Sequence, residues 1–162
     1  MQAVIGTLGM VTASTVIHSI GTLSSSVYMI MSNIRLTKDI HQTEILKVLM
    51  KTDIEATINL LHNIILEIPE YYNSSLTVVN ALKNVQEIIS QIETELVQIH
   101  NKITYNSELK IMSNWRSYDC KENLDSIELK VSILDRRRDN LFKVLEVFKN
   151  FDKIEKINKN NN

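Results

Sequence analysis

From Val78 to Ile103 the apolar residues advance only by threes and fours: Val78, Leu82, Val85, Ile89, Ile92, Leu96, Ile99 and Ile103. No other feature of the chain limits its fold as severely. That spacing places all eight side chains along one edge of an α-helix, and holding it so long requires a neighbouring helix packed nearly parallel along the whole edge. A half-buried strand would need alternation by twos.

Three further stripes obey the same rule. Leu124, Ile127, Val131, Leu134, Leu141, Leu145 and Phe148 repeat it in the last quarter, where Arg138 takes one seam position. The opening stretch steps through Gly6, Gly9, Ala13, Val16, Ile20, Leu23, Val27, Ile30 and Ile34, so its seam begins with three small residues, Gly6, Gly9 and Ala13, that let another helix come close. The second quarter carries Leu46, Met50, Ile54, Ile58, Leu61, Ile65 and Ile68, widened by Ile45, Leu49, Leu60 and Ile64. A face that wide predicts two neighbours.

Punctuation falls between the stripes. Thr37 and Asp39 offer N-caps to the second helix, Pro69 interrupts "EIPEYYNSS", Asn73 or Ser74 can cap the third, and Asp119 with Glu122 has capping-box spacing before the fourth. The expected helices cover about 2–35, 39–67, 74–104 and 120–153, each about 43 to 51 Å long at 1.5 Å per residue. Matched lengths predict an all-α, up-down-up-down four-helix bundle in one domain, 1–154, followed by a disordered Asn- and Lys-rich tail, 155–162. Three Gly and one Pro are too few for the many turns of a sandwich or barrel. The connection "YNSELKIMSNWRSY" is too apolar for a free loop, and a short extra helix or cap laying Trp115 over one end of the bundle is expected there.

Residues 3–34 contain no Asp, Glu, Lys or Arg. A secretory signal would need a basic start and a compact apolar centre, and a spanning helix would need about twenty predominantly apolar residues; Ser and Thr scattered throughout oppose both. The seam instead makes this stretch a bundle helix. Opposite the seam stand Thr7, Val11, Ser14, His18, Gly21, Ser25 and Ser32, a face that is polar yet uncharged. Hydroxyls can bond back to the helix, so such a face enters a lipid or protein interface at little desolvation cost.

Chemistry finds little footing. No E-x-x-H pair exists to build a dinuclear metal centre, and His18, His62 and His100 fall on different helices without carboxylates at ligand spacing. All three glycines lie in the first helix, so no phosphate-cradling loop is present. Cys120 stands beside Asp119 and Glu122, whose charges oppose a reactive thiolate. No cofactor, no metal and no small-molecule substrate is expected, and a net charge of −1 supplies no field for nucleic acid. In "DRRRDN", Arg138 is expected to pair with a carboxylate on another helix and so fix register, while Arg136 and Arg137 lie on a solvated face.

An uncharged first helix, "AVIGTLGMVTASTVIHSIG", followed by amphipathic helices and "NWRSYDCKENLDSIELKVSILDRRRDNL", resembles HeLo-type and MLKL-type four-helix bundle domains. The resemblance implies a bundle that engages or perturbs membranes once released from restraint. The second helix, however, lacks the dense basic patch that strong phosphoinositide binding would need. The expected function is therefore a non-enzymatic bundle, cytoplasmic or peripheral at a membrane, whose first helix meets lipid with Arg35 and Lys38 as head-group contacts. The alternative is a structural or adaptor protein that uses the same helix to bind a protein partner or a second copy.

Overall fold

The computed structural model describes residues 11–37, 42–108 and 119–160. Every regular element among them is helical: α1 (Ala13–Leu36), α2 (Gln42–Lys51), α3 (Ile54–Leu66), α4 (Leu76–Glu108) and α5 (Lys121–Asn160), with a 3₁₀ turn at Glu70–Tyr72. The chain is an all-α bundle of four rods, the second of them broken into α2 and α3.

Cross-rod bonds fix the directions. Arg35 of α1 meets Glu55 of α3, and Gly21 lies against His62, so these helices run antiparallel. Lys102 reaches Asn123, Lys130 reaches Glu95 and Arg137 reaches Glu87, so α4 and α5 are antiparallel too. Ser19 of α1 accepts from Gln86 of α4 at 2.8 Å while the Ala13 N–H donates to Asn73, just ahead of α4, at 3.1 Å. Those helices are therefore parallel neighbours. Since α5 opposes α4, which runs with α1, and the second rod opposes α1, that rod runs parallel to α5, joined to it by Lys51 on Glu128. The molecule is thus two helical hairpins laid side by side, α1 on α4 and α2 on α5, and the segment between α3 and α4 crosses diagonally from one hairpin to the other.

The seams are filled largely as the spacing predicts. All eight residues of the Val78 to Ile103 stripe are buried, as are Ala13, Val16, Ile20, Val27, Ile30 and Ile34 of α1 and Ile127, Val131, Leu134 and Leu141 of α5. Leu23, Leu124, Leu145 and Phe148 pack half-buried against this core. At about 25 cal/mol per Å² of apolar area removed from water, each fully buried Leu or Ile contributes on the order of 2 kcal/mol.

Several boundaries differ from expectation. Thr12, in extended backbone, caps α1 by accepting from the Thr15 N–H, so α1 begins at Ala13; Gly6, Thr7 and Gly9 lie outside the described residues. Thr37 closes α1 instead of opening the next helix, its N–H and hydroxyl both donating to Asn33. Ser75, not Asn73 or Ser74, caps α4 through the Val78 N–H. α4 continues to Glu108, and α5 continues to Asn160, over most of the stretch expected as a tail. Lys38 and Trp115, with the expected cap over the bundle end, lie outside the described residues.

The expected continuous second helix is broken at Thr52 and Asp53. The Asp53 backbone adopts φ 47°, ψ 34°, the left-handed region in which Asp is among the few tolerated side chains. Thr52 turns its hydroxyl onto the Leu49 carbonyl at 2.8 Å, and the Asp53 N–H closes onto Met50. The break has a packing cause. α2 buries Ile45 and Leu49 and α3 buries Ile54, Ile58, Leu61 and Ile65, so the stripe jumps five residues from 49 to 54. At about 100° per residue such a step would swing Ile54 about 140° off the seam of an unbroken helix. Met50, expected in the seam, is 73% exposed in consequence.

Candidate interaction face on α1 and α3

α1 turns its seam inward and leaves Ser14, His18, Thr22, Ser25, Met29 and Ser32 on the outside. Beside them α3 exposes Ala56, Asn59, Leu60, Asn63 and Leu66. Sequence reasoning finds the α1 half of this face and misses the α3 half, although residues 56–66 are equally uncharged. A groove of about 510 Å³ runs between the two helices, walled by Ser14, His18, Gly21, Ser25 and His62 and ending at Glu70 and Asn73. Val11 stands outside the α1 helix, just before its cap, and is half exposed.

Gly21 lets α3 come close to α1 at the floor of this groove. A Cβ there would come within 3.1 Å of His62 Nε2, so the bare α1 backbone lets the half-buried imidazole of α3 lie against it. Two hydroxyls on this side, and a buried one beneath it, bond back to their own helix. Ser25 donates to the Gly21 carbonyl at 3.0 Å, Thr22 to His18 at 3.2 Å and the buried Ser24 to Ile20 at 2.7 Å. Side chains already bonded to their own helix lose little when water is removed.

At one end of the face, the guanidinium of Arg35 pairs with the carboxylate of Glu55, and the Tyr28 hydroxyl donates to the Glu55 backbone carbonyl at 2.9 Å. The hydrogen bond that Arg35 donates to Glu55 holds it further toward its charged form; burial and the Glu55 charge push the Tyr28 phenol up. Arg35, expected to meet lipid head groups, is thus engaged within the bundle by a carboxylate that sequence reading had not linked to it. Ala13, expected at a close helix approach, is fully buried at the start of α1.

The opposite side of the molecule is built from charge. Glu95 of α4 accepts from Lys130 at 2.6 Å, Ser126 at 2.9 Å and Asn123 at 2.7 Å, while Lys102 donates to Asn123 at 2.6 Å and Gln98 accepts from it at 2.7 Å. Burial pushes the Glu95 carboxyl up, but the bonds from Lys130, Asn123 and Ser126 and the Lys130 charge together outweigh it, leaving the group below its ordinary range. Arg138 does not reach another helix. It pairs with Asp135 at 2.8 Å and Asp139 at 3.1 Å on its own helix, because carboxylates three residues before and one after lie nearer than any across the seam. Arg137, expected in solvent, makes the crossing instead, to Glu87 at 3.0 Å and to the Asn84 carbonyl. The sequence carries a signal for this network: Asn123, Ser126, Lys130 and Arg137 step by three, four and seven along α5, beside the apolar stripe.

A second groove, of about 330 Å³, separates α2 from the start of α5 and is walled by Glu44, Asp119, Cys120, Asp125 and Glu128. Cys120 is buried where α5 begins, its carbonyl accepting from Leu124. Among the described residues no group of three or more His, Cys, Asp or Glu side chains is placed to hold a metal ion, and no helix is long and apolar enough to cross a membrane. No protein-family model, curated protein or solved structure matches the chain.

Proposed function

We propose that this protein is a non-enzymatic helical bundle that acts by association, through the uncharged side formed by α1 and α3, with a second copy of itself. The observation that carries the reading is the absence of any charged side chain on the outer surface of α1 from Ser14 to Asn33 and of α3 from Ala56 to Leu66. Interface centres are depleted of charge and rimmed by it, and here the Arg35–Glu55 pair stands at one end and Glu67 and Glu70 at the other. A symmetric contact sets a surface against itself, so like charges on it would repel; between its ends this side has none. α1 is about 36 Å long and α3 about 20 Å, which at about 10 Å of width each gives a footprint on the order of 560 Å² before corrugation, approaching the roughly 800 Å² per partner of a stable interface.

Membrane association is the second reading, favoured by Met29, Leu60 and Leu66, each more than half exposed on this uncharged side. It has less support from charge, because Arg35 is held by Glu55 and the α1–α3 side offers no other basic residue among the described ones to draw anionic lipid. Sedimentation equilibrium of the full chain at pH 8 tests the proposal. A concentration-dependent dimer is expected, and Ser25→Lys should yield a monomer of unchanged helical content. A wild-type monomer at every concentration refutes self-association, and flotation of that monomer with phosphatidylcholine vesicles would favour the lipid reading.

A further inference from the structure

Two imidazoles stand in a groove that is otherwise nearly free of titratable groups. His18 projects from α1 one turn before Gly21, and His62 comes from α3 to lie against Gly21. The facing groups can be named element by element. α1 contributes His18 alone, α3 contributes His62, and the 3₁₀ turn contributes Glu70 at the far end, beside Asn73 and Ser14. Outside the groove the exposed Glu67 follows α3, and the Arg35–Glu55 pair lies toward the other end of α1, already self-neutralised.

We infer that the groove between α1 and α3 is an acid-sensitive latch, in which protonation of His18 and His62 opens the contact between two copies of the chain. The inference rests on the self-association proposed above and adds its regulation. When two copies meet groove to groove, the seam encloses two His18, two His62 and two Glu70, so a fully protonated seam holds four cations against two carboxylates. Histidine is the side chain whose charge ordinarily changes between pH 5 and 8. Neutral imidazoles can be taken out of water with their nitrogens bonded to neighbouring hydroxyls and amides, whereas imidazoliums left without carboxylate partners strongly resist it. Each groove supplies one carboxylate for two rings, so half of the new charge is unmatched. The hydroxyls of Thr22 and Ser25, which donate to backbone carbonyls, can still accept from a ring N–H but carry no charge to neutralise it.

The experiment compares the dimer dissociation constant at pH 8.0 and pH 5.5, at constant ionic strength, for the full chain, for His18→Gln and for His18→Gln/His62→Gln, with circular dichroism recorded for each. The wild-type constant should rise at least tenfold at pH 5.5, the double variant should show no such rise, and His18→Gln, altered only at an exposed position, should show a reduced one. Equal dimerisation of the wild type at both values overturns the latch and leaves self-association standing. A rise that persists undiminished in His18→Gln and in the double variant overturns it as well, by assigning the acid response elsewhere. A wild-type monomer at pH 8.0 overturns self-association itself, and the latch falls with it.

Discussion

Along α4 and α5 the apolar seam is bordered by ion pairs and amides that cross from helix to helix, whereas along α1 and α3 the Arg35–Glu55 pair stands at one end and the outer hydroxyls of Thr22 and Ser25 bond to their own backbone. Both borders flank the same continuous core, yet they leave the outer surfaces in opposite conditions. The charged border spends its polar groups on holding two particular helices together, and it fixes which residues face each other. The uncharged border holds its own hydroxyls quiet and keeps its outward side available. A helix can therefore be equally well buried on its inner side and still differ entirely in what its outer side can meet.

The comparison requires that the core itself be shared evenly. Ile20→Ala on α1 and Leu96→Ala on α4, both at fully buried positions, should each cost about 2 to 5 kcal/mol in urea denaturation. A loss below about 1 kcal/mol for Ile20 alone would show α1 to be only loosely joined to the core. The borders should then separate. Lys130→Met removes the cation from Glu95 and should cost about 2 kcal/mol, while Ser25→Ala, which deletes an exposed hydroxyl bonded to its own helix, should cost less than about 0.5 kcal/mol. Comparable losses from the two would erase the distinction.

Acid sharpens it further. Glu95 is held below its ordinary value of 4.5 in the folded chain, so its network contributes fully above that pH and is lost as pH falls through the depressed folded value. Thermal unfolding followed from pH 6 to pH 3 should show a stability loss that is shallower in Lys130→Met. A gain, not a loss, is expected at the hinge of the broken rod. Asp53→Gly should raise stability by about 0.5 to 1 kcal/mol, because glycine adopts the left-handed backbone without a Cβ clash.

How much of this was legible beforehand follows from what each signal encodes. The seams of α1, α4 and α5 could be read because burial against a rod repeats with the helix itself. The second rod defeated the same reading: Met50 and Ile54 fit the spacing, and only the Thr52–Asp53 pair, poor in helix preference, hinted that the phase is reset between Leu49 and Ile54. The uncharged side of α1 was visible as a run without Lys or Glu, but its α3 half was hidden because Leu60 and Ile64 looked like a wider core face. Arg138 and Arg137 exchanged roles because spacing gives a residue's angle around the helix, while the partner a long guanidinium selects depends on where carboxylates lie within several ångströms. Arg35 failed for the same reason, since Glu55 becomes its neighbour only when the first hairpin closes.

The parallel stacking of α1 on α4 has a further consequence, for the order in which the chain assembles. Within the hairpins, bonded partners are separated by as few as 20 residues for Arg35 with Glu55 and 17 for Lys102 with Asp119, but the bonds joining the hairpins, Ser19 with Gln86 and Lys51 with Glu128, span 67 and 77. Closing the longer loops exacts more chain entropy before any contact repays it, so each hairpin is expected to form early and the two to merge late. Stopped-flow measurements should accordingly find that Gln86→Ala acts chiefly by hastening unfolding and Lys130→Met chiefly by slowing folding. Newly made chain would then hold its first hairpin ready while awaiting the second, with the flank meant for α4 briefly open to any other helix nearby.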